Sequence, residues 1–358
     1  MTDPPPLLAR RLVVAPLVVL LCVALTLLSP LLLVAALVAD AVRRRGLGTT
    51  RLTAFSVVFV ASEAAMILAL LLLWIASGFG LALSSRAVQA AHYAVLRGWL
   101  RCLSAAATAL LGLEIEVVDP PEPRPGPLLV FGRHAGAGNS LMMIRMLMLR
   151  YRRRPRIVML AFLQWDPVID VVCHRLPSLF IEHDPEKSDH FVDAIGALAS
   201  GMGDMDAFVL YPEGHDFTER LRLRAIAHLR RLGHHRAADR AEAMEYVLPP
   251  RHKGPLAAIL AAPDADVVLV AHTALEELGS FRELPSRVPL ERPIKARYWR
   301  VPAAEVPHES DSLIAWLYEW WQRIDDWVEE HAPAADTRPG ARRHRPPQAP
   351  PPAPAGTP

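Results

Sequence analysis

Only three cysteines and three lysines occur among the 358 residues. Cys22, Cys102 and Cys173 form no C-x-x-C pair, which excludes a zinc ribbon and a thioredoxin-type redox site and leaves reduced, buried thiols as the expectation. With Lys187, Lys253 and Lys295 the only lysines, positive charge is carried almost wholly by arginine. Neither sign is in excess: 39 basic residues face 37 acidic ones, so no global field draws nucleic acid to the chain. No Gly-x-Ser-x-Gly elbow exists, which argues against an α/β-hydrolase. His174, His183 and His190 lack a helical His-x-x-x-His spacing and a carboxylate companion, so no metal site is expected.

Apolar residues are abundant. They make up 52% of the chain against 21% charged, too hydrophobic for an ordinary cytosolic domain and too charged for a transporter built of spans. The excess lies at the N-terminus. Leu12 to Ala39 carries no charge, and Ala64 to Ser85 is a second uncharged run, with Arg43, Arg44, Arg45 and Arg51 between them. Each is long enough to cross about 30 Å of hydrocarbon. Residues 1–86 therefore read as a membrane hairpin. Arginines flank both runs on both sides, so the hairpin either spans or enters one leaflet and returns, with Pro16 and Pro30 permitting the kinks. Residues 87–112 read as an amphipathic helix that lies along the interface or packs on a core.

From residue 113 the pattern becomes α/β. Strands are predicted at Ile115–Val118, Leu128–Phe131, Ile157–Ala161, Leu179–Ile181, Ala207–Tyr211, Val267–Ala271 and Ala296–Val301. Helices are predicted at Ser140–Arg152, Ser188–Gly201, Glu219–Leu232, Pro255–Ala262 and Ser310–His331. This alternation implies an α/β domain over 113–331, a largely parallel sheet flanked by helices. Residues 332–358 are Pro, Ala and Arg, the composition of a disordered tail. Trp316, Trp320, Trp321 and Trp327 mostly share one face of the last helix, a pattern for core packing.

Three windows can carry chemistry. In the first, Leu128 to Ser140, a strand runs into a glycine-rich turn and a helix. His134 stands at the strand exit, the usual place for function in open α/β sheets. A neutral imidazole is a suitable general base for an alcohol, and the turn can bring Asn139 back to touch it. In the second, Ala207 to Asp216, a strand ends in Tyr-Pro-Glu-Gly and presents Glu213 and Gly214. In the third, Val247 to Gly254, Arg251 and Lys253 cluster ahead of a helix, cations suited to a phosphate or another anion.

In order and spacing these windows resemble the lysophosphatidic acid acyltransferase family, the PlsC-type glycerolipid acyltransferases. That family shows a His, four residues, then Asp, and later Phe-Pro-Glu-Gly-Thr-Arg. Here His134 matches the first block and Tyr211-Pro212-Glu213-Gly214 the second. Leu179 to Asp184 takes the place of a middle block that ends in Arg. Val247 to Gly254 looks like the Leu-Pro-Arg-Thr-Lys-Gly stretch of the long-chain branch. The likeness runs from about residue 90 to 331.

The resemblance implies the family's α/β fold after an N-terminal hydrophobic hairpin, and transfer of a fatty acyl group to a lipid hydroxyl. It implies His134 as base with Asn139 as its orienting partner. Arg133, His183, Glu213, Gly214, Arg251 and Lys253 would bind substrate. Acyl-CoA or acyl-carrier protein would be the donor, with no further cofactor and no metal. The partners would be the bilayer and a membrane lipid acceptor, with the site facing the cytoplasm, where the thioester donor is. Three positions depart from the family: Asn139 for Asp, His183 for Arg, and His215-Asp216 for Thr-Arg. The family arginines are implicated in holding the acceptor phosphate. Either Arg133, Arg220, Arg251 or Lys253 compensates, or the acceptor carries no phosphomonoester. The same departures motivate an alternative, a degenerate homologue that binds lipid or acyl donor as an adaptor.

Overall fold

The computed structural model describes residues 4–44, 46–120, 124–136, 138–182, 188–273 and 284–332. The expected strand at each of the seven positions is present: β1 Ile115–Val118, β2 Leu128–Gly132, β3 Arg154–Leu160, β4 Ser178–Ile181, β5 Asp206–Leu210, β6 Asp266–His272 and β7 Ile294–Val301. They form one sheet in the order β1-β7-β6-β2-β5-β3-β4, parallel at every pairing except β6 with β7.

The central strands are buried along nearly their whole length, which is why they read as unbroken apolar runs. Their side chains alternate between two cores, as the two-residue period of a strand requires. Leu129, Phe131, Phe208, Leu210, Val267 and Leu269 face the last helix, Ser310–His331, and meet Leu317, Trp321 and Ile324. Trp321 and Trp327 belong to this core; Trp316 and Trp320 pack half-buried beside it. Leu128, Val130, Val209, Val268 and Val270 face the other way, onto Met143 of helix Asn139–Arg145 and onto Met146 and Leu147 in the turn that continues it.

Helices Ser188–Ala199, Glu219–Arg231, Lys253–Ala261 and Ser310–His331 match the predicted segments to within two residues at each end. Helices Pro167–Arg175 and His235–Ala243 were not predicted. The former starts on a strong local signal: the Asp166 carboxylate accepts from the Val168 and Ile169 N–H groups at 2.8 and 3.0 Å, and Pro167 takes the first helical position.

Before the sheet come apolar helices over Leu7–Leu27, Ser29–Arg43, Gly48–Ala76 and Arg86–Leu111, and all but the second are long and apolar enough to cross a membrane. The first charge-free run is thus two helices, parted at Leu28 with Pro30 opening the next. The second run is shifted: its helix starts at Gly48, well before the charge-free stretch. Asp40 caps that start, accepting from Thr49 and Thr50 N–H at 3.2 and 2.8 Å. The helix stops at Ala76, where the Ser77 hydroxyl accepts from Gly80 N–H at 3.2 Å.

Both ends of Gly48–Ala76 lean on the α/β domain. A Cβ at Gly48 would collide with the Pro285 carbonyl. At the other end Arg175 donates to the Leu70 carbonyl at 2.6 Å, and Met66 and Leu70 pack with Val168, Val171 and Val172. Helix Arg86–Leu111 joins the same cluster through Tyr93 and Leu100. The N-terminal helix is tied down by Arg10 and Arg11, whose guanidinium groups hold the buried Asp170 carboxylate at 3.1 and 3.0 Å. The Pro/Ala/Arg tail lies outside the described residues, apart from Ala332.

Candidate functional site

Strands β6, β2 and β5 are neighbours that run the same way, so their C-terminal ends open on one edge. Residues leaving β2 and β5 meet there. His134 lies two positions beyond β2, and the segment from Tyr211 to Phe217 follows β5. The His134 N–H donates to Glu213 Oε1 at 3.1 Å, and the His134 carbonyl accepts from Phe217 N–H at 2.7 Å. The main chain of the histidine is therefore clamped from the adjacent strand's exit. Its ring lies on Tyr211, centroids 4.5 Å apart and tilted by 36°.

Two groups face His134 Nδ1. Asp216 Oδ1 is 2.8 Å away and Asn139 Nδ2 is 3.4 Å away. The imidazole is 23% exposed and the Asp216 side chain 57%. Asn139, the first residue of its helix, is buried, and its amide nitrogen donates to the Arg133 carbonyl at 2.9 Å.

Beneath the histidine is a network of buried charge. Arg133 has no exposed surface. Its guanidinium donates to the Tyr246 carbonyl at 3.0 and 2.8 Å and to the His272 carbonyl at 2.9 Å. Glu213 is equally deep. Its second oxygen accepts from Leu248 N–H at 3.1 Å. Burial pushes its carboxyl up to about 8, against the opposing pull of Arg133 and of the two N–H groups. Asp325, from the last helix, accepts from Glu245 and Tyr246 N–H at 3.0 and 2.6 Å; burial raises it to about 6. Arg133 and Glu213, expected as substrate ligands, are thus placed as struts that tie the β2 exit, the β5 turn and residues 245–248 to the helix behind.

Gly214 turns the chain with φ +72°, and Arg251 lies against it: a Cβ there would stand 3.1 Å from the guanidinium carbon. The Arg251 N–H donates to the Pro212 carbonyl at 2.9 Å, so the two segments are bonded through their backbones too. Burial lowers the Arg251 pKa. Lys253 opens helix Lys253–Ala261 two residues further on, exposed. The structure thus gathers His134, Asn139, Glu213, Gly214 and Arg251 around one strand edge, with Arg133 below. His183 lies outside the described residues. Among the described residues no three His, Cys, Asp or Glu side chains are placed to hold a metal.

Sequence reasoning missed Asp216 and Asp325. Asp216 stands in the quoted Tyr-Pro-Glu-Gly window, but its contact with His134 depends on β2 lying beside β5, which no local pattern reveals. Asp325 sits one turn from the buried Trp321 and beside the buried Ile324, and that is its one signal.

No family model matches the sequence, and no curated protein matches it. Among solved structures, the chain is similar to the crystal structure of the 1-acyl-sn-glycerophosphate (LPA) acyltransferase PlsC from Thermotoga maritima. The identity is 14% and the TM-score 0.39, over 75% of this chain and 97% of that one.

Proposed function

We propose that the protein is a membrane-bound O-acyltransferase that moves a fatty acyl group from acyl-CoA or acyl-carrier protein to a hydroxyl of a glycerolipid. The observation that carries this reading is the contact of His134 N–H with Glu213 Oε1 at 3.1 Å. It joins the two sequence blocks that resemble the acyltransferase signature, which lie 79 residues apart in the chain. A histidine with a partly exposed ring, at the C-terminal edge of a parallel sheet, suits a base that must reach an incoming alcohol.

In this mechanism His134 Nε2 takes the proton of the acceptor hydroxyl as its oxygen bonds to the thioester carbonyl carbon. The tetrahedral adduct collapses, the carbon–sulfur bond breaks, and the imidazolium returns its proton to the leaving sulfur. No covalent enzyme intermediate is needed. Arg251 holds an anionic group of one substrate. In support, Arg251 is exposed as a residue while its guanidinium packs on Gly214, so it can meet an anion that offsets its partial desolvation. Lys253 adds to the same field.

The apolar helices seat the enzyme where acceptor and product reside. A hairpin that stays in one leaflet agrees with both ends of Gly48–Ala76 leaning on the α/β domain. The site then faces the cytoplasm, where thioester donors are made. The test is detergent-solubilised protein with oleoyl-CoA and a panel of lysophosphatidic acid, other lysophospholipids and a neutral glycolipid. Acceptor-dependent thiol release with an acylated product by mass spectrometry is expected. Thiol release with water alone would point to a hydrolase, and no turnover with any acceptor would leave a binding protein.

A further inference from the structure

Building on the reading of His134 as the base, we propose that Asp216 is the positioning residue that holds its imidazole in the Nδ1–H form. The family resemblance would give that task to position 139.

The argument is a competition for one atom. Neutral Nδ1 either bears a hydrogen or offers a lone pair, and it cannot do both. Asp216 presents carboxylate lone pairs at 2.8 Å; Asn139 presents an amide N–H at 3.4 Å. The Asn139 amide cannot usefully be reversed, because its nitrogen already donates to the Arg133 carbonyl at 2.9 Å and reversal would set oxygen against oxygen. Its own oxygen is buried and makes no hydrogen bond among the described residues. The shorter, charge-assisted contact decides the proton: Nδ1–H points at Asp216, and Nε2 keeps its lone pair for the acceptor hydroxyl. When Nε2 takes a proton, the imidazolium gains a carboxylate neighbour, which an amide at 139 would not supply.

The same segment then grips His134 three times. Glu213 takes its N–H, Phe217 donates to its carbonyl, and Asp216 takes its ring N–H. Asp216 is largely exposed, so the pair contributes little to folding. Its contribution is the orientation and tautomer of the ring.

The experiment uses full-length protein in detergent, with ¹⁵N-histidine spectra and acyl-transfer kinetics on the same samples. The His134 signals are assigned by their loss in His134→Ala. Wild type is expected to show the Nδ1–H tautomer. Asp216→Asn turns an amide toward Nδ1 and is expected to populate Nε2–H, lowering kcat by about 10²–10⁴-fold with KM little changed. Asp216→Glu is expected to recover at least about tenfold of the loss, and the thermal midpoint is expected to stay put in both. Asp216→Asn that keeps Nδ1–H, or keeps kcat within about threefold of wild type, would overturn the proposal. Should wild type transfer no acyl group to any acceptor, the acyltransferase reading fails, while the tautomer spectra still decide what Asp216 does to His134.

Discussion

Leu129 and Leu269, in the middle of the sheet, have no exposed surface, whereas Leu27 and Leu31 on the N-terminal helices leave 76% and 67% of theirs outside. The two regions use the same side chains against opposite surroundings. In the α/β domain the apolar phase is inside, and the sheet keeps it there by alternation. On helix Leu7–Leu27 exposed leucines and valines occur all round, an arrangement that a hydrocarbon exterior favours. The polar groups follow suit. In the N-terminal region several gather at helix ends: Asp40 caps the start of Gly48–Ala76, and Arg10 and Arg11 grip Asp170 on the α/β side. In the α/β domain they are pushed to the strand exits, where Arg133, Glu213 and Asp325 form a buried frame. The difference teaches that the candidate site and the membrane anchor come from one constraint. Most of the charge in each region stands at the edge of its apolar phase, with Glu63, buried within Gly48–Ala76, as the exception.

That contrast can be broken deliberately. The largest effect on folding is expected from Arg133→Met. It leaves the buried carbonyls of Tyr246 and His272 without their donors, and an unsatisfied buried polar group costs about 1–3 kcal/mol. Urea unfolding of the solubilised protein measures it, and a cost under about 1 kcal/mol would show that the frame is not a strut. Next is Leu20→Asp, on the exposed surface of the first helix. A carboxylate at the centre of a membrane helix costs about 3 kcal/mol, so the variant should partition less into vesicles while the α/β domain stays folded. Undiminished partitioning would mean that this helix lies outside the hydrocarbon.

A third effect concerns pH. Burial holds Glu213 up to about 8, from an ordinary value of 4.5. The folded state therefore binds more protons than the unfolded state between those limits, and stability falls as pH rises from about 4.5 to about 8. Asp325 adds the same sign between 3.8 and about 6. Glu213→Gln should flatten the upper part of that slope, read from unfolding midpoints at pH 5, 6.5 and 8. An unchanged slope would place its origin elsewhere.

How much of this was legible depends on range. All seven strands could be read because buried parallel strands announce themselves as apolar runs. That the turn returns Asn139 to the neighbourhood of the His134 ring follows from its length, and the two stand 3.4 Å apart. The helix at Pro167–Arg175 carries a readable start in Asp166-Pro167, but its nine residues are too few to show a periodic stripe. The helix at Gly48 starts ahead of the charge-free window because it accommodates Arg51 and Glu63 within its length. Asp216 could not be found because its partner is on another strand and strand order is a global property. Arg133 enters the sequence reading only as one possible replacement for the missing family arginines; nothing local says that its guanidinium donates to the carbonyls of Tyr246 and His272.

The most direct measurement is acceptor-dependent release of CoA from oleoyl-CoA by wild type and His134→Ala, purified and handled side by side. The account predicts turnover in wild type, an acylated lipid in the product spectrum, and a loss of about 10²–10⁴-fold in His134→Ala with an unchanged thermal midpoint. Equal turnover in the two proteins would contradict it.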